Sequence, residues 1–464
     1  MGTKRDDRVI SEQVKAITSA LTRNLHRLVS WFRDDVFRRL FLNACKLLSA
    51  NTVSAGLGFA LTAITARALG PENYGYLALV LTYEQTIGKL VSFNAWQAVI
   101  KFGSERLKAN DRDGLRQLIK FGFSLDVSSA IIGTLLAVAL AGPIISLLRW
   151  DQALRPLVVL YSTLILFMLN GTPIGILRLF DRFDLLSYTS VFSVVIRLFG
   201  VSWCLLTSQE LHGFVWVHLV TGIFGQLYQV LASFWVIRQQ GLGDLISSPL
   251  RAIHRTFPGI WDYVWTTNLN STIRLLSREA DELIIAGLTT PSALGLFRIA
   301  KQFSRVLPML SDPLYQSIYP ELARLWAAID LGRFVSLVKR TTLIVGGVTL
   351  SAWIGFVVFG RWLVTLTVGE AYLEAYPIAV VYMLALVIAL CGVSLQPSML
   401  AIGQPRKSFT AQLISTTLYL ALLFPIIRSR GIVGAALTYV IYYLAWSGLM
   451  IWNLRPHFVE VRHV

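Results

Sequence analysis

The sequence predicts an all-α polytopic membrane protein, with about 12 transmembrane helices in two six-helix bundles (parallel repeats) around a central cavity. Of its 464 residues, 55% are hydrophobic and the mean hydropathy is +0.60. Several apolar runs reach about 20 residues, which is long enough to cross a bilayer as a helix. A motif of the first half also recurs in the second half. Soluble domains are not this apolar, so a membrane location is predicted.

Hydropathy divides the chain into candidate spans separated by short polar segments. They lie at approximately 45–66, 76–100, 121–148, 156–177, 187–207, 213–237, 262–288, 293–318, 340–360, 377–399, 409–427 and 432–453. With a cytoplasmic amino terminus, about 28 of the 42 Lys and Arg residues fall in segments predicted to lie inside. This bias predicts a multi-pass protein of the cytoplasmic (inner) membrane with both termini in the cytoplasm. It also accounts for the net charge of +16, so no nucleic-acid partner is expected.

The same pattern predicts the domain organisation. Residues 1–44 form a basic amphipathic cytoplasmic N-terminal segment, for which a disordered basic tail is the alternative. The first bundle is predicted at 45–237, a cytoplasmic linker at 238–259, the second bundle at 260–453, and a cytoplasmic tail at 454–464.

An internal repeat relates the two predicted bundles. LGPENYGYLALV at 69–80 resembles LTTPSALGLFRIA at 288–300, which aligns Gly75 with Gly295. VIKFGSERL at 99–107 resembles SIYPELARL at 317–325 at the same offset of about 220 residues. Because six spans and a linker separate the copies, both halves start on the same side of the membrane. Parallel repeats of this kind are typical of alternating-access transporters.

The predicted helix pair at 263–321 carries an unusual number of charges for two membrane spans. Each Arg, Lys or Asp at a helix centre costs roughly 2.5–3.5 kcal/mol on insertion scales. At helical spacing these charges fall on one stripe of each helix, and the stripes include Arg274, Arg278, Arg298, Lys301 and Arg305. Two interpretations remain open here. One is a set of interhelical ion pairs, such as a pair that Glu282 holds, and the other is a hydrated cavity with surplus positive charge for an anion.

Five motifs, in the right order and spacing, resemble the Wzx-type (O-antigen/oligosaccharide) polysaccharide-transporter flippases, a branch of the multidrug/oligosaccharidyl-lipid/polysaccharide exporter superfamily. The motifs are ARALGPENYGYLAL at 66–79, DELIIAGLTTPSALGLFRIAKQ at 281–302, PELARL at 320–325, GQPRKS at 403–408 and PIIRSRGIVGAALTYVI at 425–441. The resemblance covers about 45–453 and leaves 1–44 unmatched. It implies a V-shaped pair of bundles whose first two helices line a central cavity.

The resemblance also implies a cargo, a glycan linked through phosphate or diphosphate to a polyprenyl chain. Arginine donates paired hydrogen bonds to phosphate oxygens. Arg274, Arg278, Arg305 and Lys301 are therefore the predicted phosphate contacts, with Arg197 as a further candidate that could instead pair or snorkel. The predicted sugar contacts are Asn51, Glu84, Gln85, Lys89, Trp96 and Asn270. For Trp96, interfacial anchoring or helix packing is the alternative.

No nucleotide-binding loop occurs in the sequence, so the energy source is expected to be an ion gradient, the membrane potential or consumption of cargo. No cofactor is expected, and the coupling ion, H⁺ or Na⁺, is left open. The candidate coupling residues are Glu84, Asp126, His218, Asp281 and Asp312, each of which could instead be a satisfied structural group.

The expected function is flipping of lipid-linked oligosaccharide from the cytoplasmic to the outer leaflet for O-antigen or exopolysaccharide synthesis. The expected partners are the bilayer and lipid-linked cargo, with a polysaccharide polymerase and glycosyltransferases as candidates. A cation-coupled multidrug exporter, a lipid II flippase, and a membrane glycan polymerase or ligase remain as alternatives. The first-half helix pair has Leu81 and Gln85 where the second has Lys301 and Arg305. A lopsided cavity, with phosphate on the second-half wall, is therefore predicted.

Overall fold

A computed structural model describes the backbone of residues 35–93, 95–169, 171–180, 182–244 and 253–459. It describes their side chains except at 35–55, 183, 187, 190–191, 269–281, 283, 310, 312–317, 320 and 457–459. The described chain is α-helical throughout, with three short 3₁₀ segments and no strand among its described residues. Six of its helical stretches are long and apolar enough to cross a membrane by length and hydropathy. The predicted all-α multi-pass fold is confirmed.

The helices of the first half follow the predicted spans with two interruptions. They are α1 (Asp35–Val91), α2 (Ala95–Lys108), α3 (Arg112–Leu147), α4 (Arg155–Ser162), α5 (Gly171–Leu179), α6 (Phe183–Leu206) and α7 (Leu211–Gln239). The first predicted span and most of the second lie in α1, which bends sharply at Gly70, where φ is 72° and ψ is 170°. Left-handed backbone of this kind favours glycine, and Pro71 follows it.

The second half repeats this arrangement after a short helix. Its helices are α8 (Ile253–Thr256), α9 (Ile260–Leu288), α10 (Pro291–Ser304), α11 (Val306–Ala327), α12 (Leu331–Thr367), α13 (Ala375–Cys391), α14 (Leu395–Ala401) and α15 (Pro405–Val459). The last two predicted spans lie in α15, which bends at Gly431 with φ 62°.

The second and fourth predicted spans of each half are broken helices, which differs from the continuous spans expected from hydropathy. The breaks fall between α1 and α2, around 163–170, at Arg305, and at 392–394. Pro173, Pro308 and Pro397 each stand third in the helix that follows a break. Proline lacks an N–H and is tolerated in the first turn of a helix, where N–H groups have no intrahelical acceptor. Hydropathy does not detect these breaks because the helical segments on both sides of each break are apolar enough to be read as one span.

The two halves meet at a seam where equivalent residues of the repeat exchange contacts. A Cβ built on Gly75 would lie 1.9 Å from the Pro291 carbonyl oxygen, and one built on Gly295 would lie 2.6 Å from the Pro71 carbonyl oxygen. The two contacts are copies of each other at the 220-residue offset found in the sequence. Both positions therefore need glycine, because any side chain would collide with the backbone of the other half.

Hydrogen bonds repeat the same reciprocity. The Trp150 indole N–H donates to the Ala286 carbonyl at 3.1 Å, and the Tyr372 hydroxyl donates to the Ala66 carbonyl at 2.8 Å. Ala66 and Ala286 are equivalent in the repeat. All of these residues lie in or beside connections predicted to face outside. The seam thus closes the end of the molecule that the charge bias assigns to the outer face.

At the opposite end, the start of the second half packs on the first half. Phe102 of α2 contacts the rings of Phe257 and Tyr263 with centroid separations of 5.8 and 5.7 Å, and Arg106 donates to the Thr256 carbonyl. Ile253 and Ile260 are buried in the same apolar cluster. The end of the predicted linker therefore packs in the first bundle's core instead of standing free in solvent.

We expect Gly75→Ala and Gly295→Ala to lower the melting temperature of the purified protein by several degrees. Each added methyl group would push the halves apart, and overpacking of this kind costs about 1–3 kcal/mol. Gly58→Ala is the matched control for Gly75→Ala, because both glycines belong to α1 and no atom lies within 4 Å of a Cβ built on Gly58. Thermal unfolding of the three variants in detergent measures the effect. Equal melting temperatures for Gly75→Ala and Gly58→Ala would contradict the close contact.

Candidate functional site

A cavity of about 170 Å³ lies beside the seam and is shared by both halves. Helices α1, α6 and α7 line it from the first half, and α9 and α10, with Arg305 at their end, line it from the second. The lining residues are Leu61, Thr62, Thr65, Tyr74, Leu77, Leu81, Gln85, Arg197, His218, Glu282, Arg298, Lys301, Gln302 and Arg305. The helix pairs predicted to enclose the cavity are thus present in its wall, together with two helices that the sequence did not predict there.

An ion cluster centred on Glu282 forms the part of the wall nearest the seam. One Glu282 carboxylate oxygen accepts from Lys301 Nζ at 2.9 Å, and the other accepts from Arg298 Nε at 3.1 Å. The Thr82 hydroxyl donates to the second oxygen at 3.1 Å. These three charged side chains are only 15–18% exposed. Close pairing and hydrogen bonding offset the cost of burying their charges.

The cluster also joins the two halves. Thr82 belongs to the first half and Glu282 to the second. Arg298 also donates from Nη1 to the Ala78 carbonyl at 3.4 Å. Ala78 occupies the position in the first repeat that Arg298 occupies in the second. The ion cluster therefore continues the seam inward from the Gly75 and Gly295 contacts.

Two arginines lining the cavity stand apart from this cluster. Arg197 lines the cavity from α6, and its Nε is buried with no hydrogen-bond partner among the described residues. Arg305 lines the cavity from the break between α10 and α11, and its side chain makes no hydrogen bond or ion pair within the described part of the chain. Unpaired guanidinium groups in a membrane interior are costly unless a cavity or a ligand serves them. These two are the cations of the described site best able to receive an anion.

The predicted phosphate contacts are distributed as follows. Lys301 and Arg305 line the cavity, but Lys301 is bound to Glu282, as in the ion-pair interpretation. The side chains of Arg274 and Arg278 lie outside the described residues. Arg197 adds a cation to the first-half wall. Three of the four cationic side chains of the described lining therefore belong to the second half and one belongs to the first, and the lopsided cavity stays a prediction.

Among the predicted sugar contacts, only Gln85 lines the cavity within the described chain. Glu84 is buried at 3% exposure outside the cavity lining, and Lys89 is half-buried. The Arg178 guanidinium lies 4.6 Å above the Trp96 ring, which matches the helix-packing alternative for that residue. The side chains of Asn51 and Asn270 lie outside the described residues.

The coupling candidates separate in a similar way. His218 lines the cavity, whereas Asp126 is buried away from it, and its carboxylate accepts from the Thr172 N–H at 2.6 Å. That bond satisfies one N–H at the start of α5, as a helix cap does. A Cβ on Gly171 would lie 2.5 Å from the other Asp126 oxygen, so the carboxylate fills the space before the helix. The side chains of Asp281 and Asp312 lie outside the described residues.

The role of Glu282 at the seam, and that of Arg298, are not evident from the sequence. The predicted stripe includes Arg298, and Glu282 was expected only as a holder of an ion pair, but only the packing of α1 against α10 brings Thr82 and Ala78 to them. The signal that identifies Arg197 is its position in the middle of an apolar span with no carboxylate within a helical turn.

A family model described as "Polysaccharide biosynthesis protein" matches residues 64–377, about two thirds of the chain. The chain belongs to this family. The match contains the seam glycines, the ion cluster, and both Arg197 and Arg305. The family resemblance drawn from the five motifs is confirmed.

Two relatives extend the comparison. The chain is 29% identical over 352 residues to inner membrane protein YghQ of Escherichia coli (strain K12), covering 75% of this chain and 97% of that protein. It is 21% identical over 398 residues to the probable low-salt glycan biosynthesis flippase Agl15 of Haloferax volcanii, covering 85% and 79%. The name of the first relative agrees with the predicted cytoplasmic (inner) membrane location.

Solved structures share the fold at low sequence identity. An inward-facing multidrug resistance MATE family transporter of the MOP superfamily aligns with a TM-score of 0.70 at 13% identity, over 88% of this chain and 96% of that chain. The lipid II flippase MurJ in an inward closed conformation aligns with a TM-score of 0.69 at 15% identity, over 88% and 87%. At this identity the likeness shows the two-lobed multi-pass fold alone.

We expect Asp126 to act as a cap of α5 and not as a titrating group in ion coupling. Asp126→Asn keeps an oxygen that accepts from Thr172 N–H, so transport and its pH dependence should remain close to those of the unchanged protein. Asp126→Leu removes the acceptor and should cost about 0.5–2 kcal/mol of stability, as the loss of a cap does. Transport in reconstituted vesicles and thermal unfolding measure the two effects. Loss of transport in a stable Asp126→Asn protein would reverse the assignment.

Proposed function

We propose that the protein is a flippase for polyprenyl (di)phosphate-linked oligosaccharide, which it moves from the cytoplasmic to the outer leaflet for cell-surface polysaccharide biosynthesis. The observation that carries the proposal is the cavity between the halves, with Arg197 on one wall and Arg305 on the other, neither paired among the described residues. Family membership supports it, and so does a relative named as a probable glycan biosynthesis flippase.

The chemistry of the cavity suits a phosphate headgroup. Guanidinium groups donate in a fork that matches phosphate oxygens and stay charged at every accessible pH. The described lining holds four cationic side chains and one carboxylate, which is already bound to two of them. A cavity for cationic drugs would require the opposite balance. Gln85, Gln302 and Thr62 supply neutral polar groups suited to sugar hydroxyls.

Transport would follow from rocking of the two halves about this cavity. In the state described here, the seam holds the predicted outer end closed through Gly75, Gly295 and their reciprocal hydrogen bonds. Opening outward would separate those contacts while the polyprenyl chain stays in lipid. In this proposal both termini are cytoplasmic, and the glycosyltransferases and the polymerase act on opposite sides of the membrane. Arg274 and Arg278 remain proposed phosphate contacts.

We expect Arg197→Ala and Arg305→Ala each to weaken binding of a polyprenyl diphosphate-linked glycan by about 10- to 100-fold. A hydrogen bond to a charged group contributes about 1.5–3 kcal/mol, and each substitution removes such donors. Arg155→Ala is the control, because Arg155 is an exposed arginine outside the cavity lining. Binding to protein in lipid nanodiscs and flipping in reconstituted vesicles measure the change. Full activity of both cavity variants would contradict the proposed anion contact.

The closed outer end can be tested through access to the cavity. The reporter is Gln302→Cys, placed in the cavity wall after Cys45, Cys204 and Cys391 are replaced by serine. We expect a membrane-impermeant maleimide added from outside to label the reporter faster when Gly75→Ala is also present, because the added methyl group separates the halves at the seam. Gly58→Ala is again the control. Unchanged labelling in a folded Gly75→Ala protein would show that the seam is not the outer barrier.

A further inference from the structure

Glu282 occupies an unexpected place for a carboxylate in a cavity meant for an anion. It lies in the cavity wall and binds Lys301 at 2.9 Å and Arg298 at 3.1 Å, so it holds half of the cationic side chains of the described lining. An acid here repels a phosphate at the same position. A site selected only for tight anion binding would not contain it.

A transporter must also release what it binds. Carboxylate and phosphate oxygens compete for the same N–H donors, and phosphate offers more acceptor oxygens than a carboxylate does. The competition is direct because the Arg298 and Lys301 side chains line the cavity from which cargo would approach. Exchange of one anion for the other keeps the buried cations satisfied at every stage, which avoids the cost of leaving a buried charge unpaired.

The same carboxylate takes part in the contact between the halves. It accepts from Thr82 across the seam, and its partner Arg298 donates to the Ala78 carbonyl there. A phosphate that draws Arg298 and Lys301 toward the cavity therefore acts on bonds that join the halves. Glu282 and Arg298 therefore take part both in the exchange of anions at the cluster and in the contact between the halves.

We propose that Glu282 is the resident counter-ion of the cargo site. It satisfies Arg298 and Lys301 when the cavity is empty, yields them to the cargo's phosphate, and reclaims them as the phosphate leaves. The proposal rests on the proposed flippase function and adds to it a residue that limits affinity in order to permit release. It also separates the cavity cations into two sets: Arg298 and Lys301 exchange partners, whereas Arg197 and Arg305 have no resident partner among the described residues.

The test is Glu282→Gln in the full-length protein in lipid nanodiscs, with polyprenyl diphosphate as the probe and polyprenol as its phosphate-free control. Removal of the Glu282 charge should tighten binding of the diphosphate on the order of tenfold or more. A carboxylate and a phosphate that share the same cations in a protein interior repel each other strongly. Flipping of a diphosphate-linked glycan in vesicles should become slower in the same variant. Tighter binding together with slower transport is the expected signature.

Three further variants distinguish loss of the Glu282 charge from other effects of the substitution. Glu370→Gln removes an exposed carboxylate that does not belong to the cavity lining and should change neither quantity. Thr82→Val removes the bond across the seam but no charge, so its affinity should stay close to that of the unchanged protein. Glu282→Asp keeps the charge on a shorter side chain that reaches both cations less well, so its affinity should fall between those of the unchanged and Gln forms. This variant also covers the case in which Glu282→Gln does not fold.

The outcomes separate cleanly. Weaker or unchanged binding in Glu282→Gln, or in Glu282→Asp if only that variant folds, would mean that Glu282 merely positions the cations, and would overturn the inference while leaving the flippase proposal intact. Equal binding of polyprenyl diphosphate and polyprenol by the unchanged protein would overturn both. Competition by free inorganic diphosphate would identify the phosphate group, and not the polyprenyl chain, as the part that the cluster recognises.

Discussion

The direct approach of the two repeats' backbones at their common axis is the constraint on which the rest of the structure depends. Gly75 contacts Pro291, and Gly295 contacts Pro71. The turn of each repeat thus supplies both a glycine and a proline to the contact with the other repeat. Near a two-fold axis, a residue of one repeat contacts the equivalent residue of the other. Side chains on both residues would therefore compete for the same space. Glycine at this position lets α1 and α10 run close together. The cavity and the ion cluster lie along that close pair.

Membrane burial explains why the polar groups at the seam are so completely paired. The hydrocarbon core supplies no water to satisfy a backbone carbonyl or a charged side chain. Trp150 and Tyr372 each donate to the backbone of the opposite half, and Glu282 binds three donors. The helix break at 392–394 is buried, and three of the four breaks are followed by proline in the first helical turn, where an N–H group would have no intrahelical acceptor. Arg197 lines the cavity, and its buried Nε has no hydrogen-bond partner among the described residues, which is why it marks the site.

The sequence predicts the fold well because its strongest signals are local. Hydropathy identifies the spans, and the turn at 69–80 identifies the repeat with the offset seen in the contacts. The charged helix pair contributes Glu282, Arg298, Lys301 and Arg305 to the cavity wall. The choice of partners was not predictable, because it depends on packing between helices. Neighbouring residues such as Arg278 were natural partners for Glu282 on a helical wheel, yet within the described chain it binds Arg298 and Lys301 of the next helix and Thr82 of the other half. Arg197 was ambiguous for the same reason: one span cannot reveal which neighbour it faces.

Charge asymmetry between the halves is a physical consequence of the repeat and not a departure from it. Arg298 donates to the carbonyl of Ala78, the equivalent residue of the first repeat. Because the two equivalent residues are in contact, this pair lies on the axis that relates the repeats. A second arginine at position 78 would bring two guanidinium groups together in a low-dielectric interior, where like charges repel most strongly. Only one copy of an axial position can therefore carry the charge, and Leu81 and Gln85 likewise stand neutral where the second half has Lys301 and Arg305. The backbone can remain symmetric, as rocking of two equal halves requires. The anion site at the axis must be built mainly from one repeat, and a cation of the other repeat, such as Arg197, can join it only from a helix farther out.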